Sequence, residues 1–131
     1  MYELIEIEEA VATRFLKLKN METNMIEECF DDSALVSHEN FKFMQLGQVY
    51  ECKIELFGRP VDEKADSNAV CKIINKEVVV GRALLVEVQI DDNTYYIDKK
   101  ILEGYLDGNS FYFHYSRKDL LQVNDTIHAE Y

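Results

Sequence analysis

The chain has 131 residues, 47% of them apolar, with eight Tyr and seven Phe, no Trp, one Pro and five Gly. That length suits one domain with its own hydrophobic core, and the apolar content excludes disorder as the default state. A formal charge of −11 weighs against general affinity for phosphate backbones or anionic lipid surfaces, and no run approaches the ~20 apolar residues of a membrane helix.

Residues 1–20 carry two competing patterns. Ile5 and Ile7 alternate with Glu6 and Glu8, as in a strand, while Ile7, Val11, Phe15 and Leu18 sit at helical spacing. The β-branched content favours the strand, and the following residues resemble a hairpin with arms over 12–19 and 25–30 and a loop over 20–24. Asp31-Asp32-Ser33 then end the second arm with side chains suited to capping a helical turn over Ala34-Leu35-Val36.

The clearest strand follows. Tyr50, Cys52, Ile54 and Leu56 fall on one side of an extended chain and Glu51, Lys53 and Glu55 on the other. Gly47 and Gly58 punctuate it, and Arg59-Pro60 argues against further pairing. Residues 62–68 form a solvated loop. Asn75-Lys76 fits a two-residue hairpin turn, and Gly81 fits a bulge or bend in a path from Glu77 to Ile90. Leu84, Val86, Val88 and Ile90 share one face of that path. Asp91-Asp92-Asn93-Thr94 is a turn, residues 98–107 suit a short helical or irregular segment, and Asp107-Gly108-Asn109 turns again. Phe111, Phe113 and Tyr115 then face inward, with Tyr112 and His114 outward. After the turn-like Asn124-Asp125, a last strand over 126–131 places Ile127, Ala129 and Tyr131 inward and Thr126, His128 and Glu130 outward.

Short strands separated by turn signals predict a mostly β chain: a small antiparallel β-barrel or sandwich of OB-like layout with one or two short helices. The whole of 1–131 reads as one domain, with an acidic hairpin region over 1–39 packed on a 46–131 core and no sequence repeat. Residues 1–39 hold three basic and ten acidic side chains, a net of −7, and the remainder is −4.

No pattern names a reaction. Cys29, Cys52 and Cys71 lie some twenty residues apart, and His38, His114 and His128 make no close pair, so neither metal nor cofactor is expected. The odd, scattered cysteines read as reduced thiols, and the N-terminus lacks a signal-peptide pattern, which together point to a cytoplasmic protein. No Gly-x-Ser-x-Gly element or phosphate-binding glycine loop occurs, so the expectation is a non-enzyme. A small enzyme using separated carboxylates and His114 is the lesser alternative.

Two binding hypotheses follow. Glu3, Glu6, Glu8, Glu9, Glu27 and Glu28 would spread carboxylates over the outer face of the first strands and hold a basic protein partner, as in an inhibitor, immunity-type protein, adaptor or subunit. Alternatively, the aromatic strand over 111–118 would bind single-stranded nucleic acid or another oligomer through Tyr112, His114, Arg117 and Lys118. The strand over 126–131 offers an edge for homodimer formation. No membrane association is expected.

Overall fold

A computed structural model describes residues 1–11, 13–33, 40–63, 65, 68–129 and 131. The chain is mostly β, 62% strand and 4% helical. It groups into two compact units, one of Met1–Ile54 with Lys118–Tyr131 and the other of Glu55–Arg117. The helical turn expected over Ala34-Leu35-Val36 lies outside the described residues, as do His38 and Glu130.

The first unit begins with a meander of β1 (Tyr2–Glu9), β2 (Arg14–Asn20) and β3 (Ile26–Asp31), paired antiparallel in that order. The period of two prevails over the helical pattern because Leu16 and Leu18 are buried together with Tyr2 and Leu4, while Val11 and Phe15 are exposed. Asn20 closes the β2–β3 hairpin. Its Oδ1 accepts the backbone N–H of Glu22 at 2.9 Å and of Thr23 at 3.3 Å, and Asn24 takes the left-handed conformation at φ 62°.

β4 (Val49–Tyr50) pairs with β1, Tyr2 facing Tyr50. After a break at Glu51 the chain enters β5 (Cys52–Val61). β3 runs parallel to the far end of β9 (Ser110–Val123), Phe30 facing Asp119. Asn124 then joins that end of β9 to Glu51: its N–H donates to Glu51 O at 2.7 Å and its Oδ1 accepts Glu51 N–H at 2.9 Å. The pairings therefore run in a ring around Leu4, Leu16, Leu18, Ile54, Leu120 and Leu121, all buried. β10 (Thr126–Ile127) adds two residues alongside β9.

The second unit repeats the scheme. β6 (Ala69–Val80), β7 (Ala83–Ile90) and β8 (Asn93–Asp98) form an antiparallel meander. β8 runs parallel to β5, Glu55 facing Tyr96. β5 lies beside β9, and β9 returns to β6 with Val70 opposite Tyr112, closing a second ring. The segment after β8 is a short 3-10 helix, Lys99–Leu102, capped by Asp98, whose side chain accepts Lys100 N–H at 2.9 Å.

Several sequence expectations need correction. β6 runs straight through Asn75-Lys76, absorbing them in register shifts on either side of Asn75. The hairpin turn is Gly81-Arg82, between paired Val80 and Ala83, with Gly81 at φ 61°. Along β7, Leu85 and Val86 are buried together with Val88, while Leu84 is exposed. β5 also continues through Gly58, Arg59 and Pro60 to Val61 rather than stopping.

Gly58 has a specific reason to be glycine. A Cβ there would overlap His114 O and lie 2.6 Å from the Cα of Tyr115, so the β9 backbone occupies the space of any side chain. Gly58→Ala must push the two strands apart. We expect a stability loss of about 3 kcal/mol or more in urea unfolding. An unchanged midpoint would mean that β5 and β9 do not approach as described.

Candidate functional site

On the outer face of β1–β2–β3 the carboxylates do not form an unbroken acidic surface. Glu6 lies 3.0 Å from Lys17 Nζ, and Glu28 stands opposite Lys17 on the next strand. The Lys17 ammonium is held above its usual range first by its hydrogen bond to Glu6, then by the charge of Glu6 and more weakly by Glu28 and Glu8. Glu3, half-buried, faces Lys19. Glu6, Glu8, Glu9 and Glu28 are exposed.

Glu27 is not on that face. It is 0% exposed, and Lys118 Nζ lies 3.2 Å from its carboxylate. The reason is the strand period: in β3, Glu27, Cys29 and Asp31 are buried, so Glu28 must point the other way. Two consecutive glutamates in a strand cannot share a face, a signal present in the sequence. The surrounding interior is polar. The Tyr2 phenol is pushed well above its ordinary range, first by burial and then by the charge of Glu27, while a hydrogen bond from Asn20 opposes the shift. Burial likewise raises the Cys29 thiol, with Glu27 adding to it.

A cleft of about 570 Å³ opens beside this interior, lined in part by Ile7, Glu9, Arg14, Asp31, Lys42 and Met44. Arg14 donates from Nε at 3.1 Å and Nη2 at 2.7 Å to Asp31 Oδ2, and Nη2 also reaches Phe41 O at 3.1 Å. Asp31 Oδ1 accepts Ser33 N–H at 2.9 Å. The Arg14 fork is thus engaged in joining β2, β3 and the segment around Phe41.

The C-terminal segment departs from the expected strand. His128 is buried, its Nε2 2.7 Å from Asp32 Oδ1, with its ring against Phe41 and Tyr131. Ala129, expected inward, is exposed. The Asn40 amide acts as a substitute strand, donating to Ile127 O at 3.1 Å and accepting Ala129 N–H at 2.7 Å, while His128 N–H donates to Leu121 O. These atoms, expected at a dimer edge, are satisfied within the unit.

In the second unit, Phe111 and Phe113 are buried edge to face at 6.2 Å, and Tyr112 and His114 are half-buried on the alternate parity. Arg117 stacks over Phe57, its Cζ 4.7 Å from the ring centroid, and Phe57 is 56% exposed. Lys118 belongs to the first unit and serves Glu27. Lys99 pairs with Glu77 at 2.9 Å. Sequence reasoning missed Phe57, although its place off the Tyr50–Leu56 parity marked it as outward.

Burial pushes the thiols of Cys52 and Cys71 up to about 12. Among the described residues no group of three or more His, Cys, Asp or Glu is placed to hold a metal ion, and no helix is long and apolar enough to cross a membrane. No family model, curated protein or solved structure matches the chain.

The thiol shifts set a measurable reactivity. The thiolate is the reactive form, so at pH 8 a thiol titrating at about 12 reacts roughly a thousandfold more slowly than one at its ordinary 9.0. Alkylation of Cys71 should be that slow in the native protein and rapid in urea. The stabilisation from burying neutral thiols is complete below about pH 9 and is lost as pH rises toward 12. Equal native and denatured alkylation rates at pH 8 would contradict the burial.

Proposed function

We propose that the protein is a non-catalytic interaction module that docks a basic protein partner on the acidic surface of its first unit. The carrying observation is the partition of charge. The first unit holds six basic and fourteen acidic side chains, a net of −8, against −3 in the second. Glu6, Glu8, Glu9 and Glu28 stand exposed there. Clustered carboxylates accelerate encounter with a cationic surface and orient it, which suits an inhibitor, immunity-type protein, adaptor or subunit. The free thiols of Cys29, Cys52 and Cys71 accord with a reducing, cytoplasmic setting.

A second binding role rests on an OB-like layout. In an OB barrel three strands meander, the third runs parallel to the last, and the remaining strand closes the ring. Support comes from the parallel pairs β3–β9 and β8–β5, each joining the end of a meander to a strand from elsewhere in the chain. Ring closure in each unit also favours a small barrel over a sandwich. Such barrels carry ligands on a sheet face, which for the second unit would be the side bearing Tyr112, His114 and Arg117.

The docking role is tested by low-salt co-purification of the tagged chain from cell extract, after nuclease treatment, beside a Glu6→Lys, Glu8→Lys, Glu28→Lys variant. A stoichiometric basic protein should accompany the parent chain, with affinity lowered about tenfold or more in the variant and by added salt. Equal recovery with both chains would remove the acidic surface from consideration.

A further inference from the structure

The second unit carries a surface whose local charge opposes that of the whole chain. Leu56, Cys71, Phe111 and Phe113 are buried. By strand alternation the outward residues of three neighbouring strands are then Glu55, Phe57 and Arg59 on β5, Tyr112 and His114 on β9, and Val70 and Lys72 on β6. Val70 lies directly opposite Tyr112 and Lys72 opposite Ser110, while Gly58 meets His114 and Tyr115, so these strands are contiguous. Arg117 has the parity of Phe111 and Phe113 on β9, so it is not placed on the face by alternation; its guanidinium reaches the face by stacking on Phe57.

Arg59 and Lys72 are exposed, and among the described outward residues of these three strands they stand with Arg117 beside the carboxylate of Glu55. The chain as a whole is −11. Phe57, Val70 and Tyr112 place apolar and aromatic surface among those cations, and half of Phe57 and of Val70 is exposed. A phosphate backbone complements the cations. The exposed Phe57 ring, with the half-buried Tyr112 ring, adds something that an acidic peptide cannot use and that paired bases do not offer, namely a surface on which an unpaired base stacks.

We propose that this face binds single-stranded nucleic acid, with Phe57 and Tyr112 as stacking surfaces and Arg59, Lys72 and Arg117 as backbone contacts. The site rests on the ligand-face role of the OB-like layout and is independent of acidic docking. It differs from the sequence expectation in omitting Lys118, which is committed to Glu27, and in adding Phe57, Arg59 and Lys72. Glu55 restrains affinity, so binding is confined to low ionic strength. Three phosphate contacts predict that log affinity falls with log salt at a slope of about −2.

The test uses the full chain and a short, labelled oligodeoxythymidine followed by fluorescence anisotropy, with heparin, polyglutamate and a DNA duplex as competitors. Saturable binding is expected, weakened about tenfold by Phe57→Ala and similarly by Tyr112→Ala. Arg59→Gln combined with Arg117→Gln should flatten the salt slope. Both aromatic variants are checked by circular dichroism, and either one, if folded, decides the stacking claim. Heparin binding without oligonucleotide binding would overturn the nucleic-acid assignment and leave the OB-like ligand face standing. Binding of neither would overturn both. Polyglutamate competing as well as oligonucleotide, with no effect of Phe57→Ala, would assign the face to acidic peptides instead.

Discussion

Two long strands each serve two rings, and the rest of the structure follows from that constraint. β5 contributes residues 52–54 to the first unit and the remainder to the second, while β9 contributes 110–117 to the second unit and 118–123 to the first. At 10 and 14 residues both exceed the usual strand length of about 5–6. Their close approach depends on a missing Cβ at Gly58. In the first ring the order is a meander of β1, β2 and β3, then the end of β9, then the run from β4 into the start of β5, of which β4 pairs with β1. In the second it is a meander of β6, β7 and β8, then the end of β5, then the start of β9. The two halves of the chain have the same plan, and each supplies the strand that closes the other's ring. This is the logic of domain swapping carried out within one chain.

Polar groups in the first ring bear on how that closure is specified. Lys118 arrives on the exchanged end of β9, one residue before Asp119, and meets Glu27 on β3, three residues before Phe30. A slipped register would leave Glu27 buried without its counter-ion, and an unpaired interior charge costs several kcal/mol. Arg14 and Asp31 tie β2 to β3 at the other end of the same hairpin. Both ion pairs consume charges that would otherwise belong to a surface. The first unit carries the larger net negative charge, −8 against −3, and Arg59, Lys72 and Arg117 belong to the second.

Much of the fold was legible because period two survives in the strands that cover a core. The inward set of Tyr50, Ile54 and Leu56, the hairpin through Asn20, and the buried pair Phe111 and Phe113 all follow from alternation and turn chemistry. The errors have physical causes. Asn75-Lys76 has turn chemistry, but β6 is long enough to absorb it as bulges. Pro60 lacks a donor, yet β5 tolerates it near its end. Parity predicts His128 outward, whereas its partner Asp32 lies 96 positions away, beyond the reach of any local pattern. The duplicated plan left no sequence repeat because each ring asks only for alternation, which many unrelated residues satisfy. The Phe57–Arg117 stack was hidden for the same reason as the rings: its two members are brought together by strand pairing, not by local sequence.

Strand exchange is tested most directly by cutting the chain between its halves. A protease site is built between Val61 and Ala69, and the full-length protein is cleaved in native buffer and passed over a sizing column. Exchange predicts that both fragments elute together with unchanged circular dichroism and part only in denaturant, because each ring contains strands from both. Release of two separately folded fragments would show that each half closes its own ring, contradicting the shared strands.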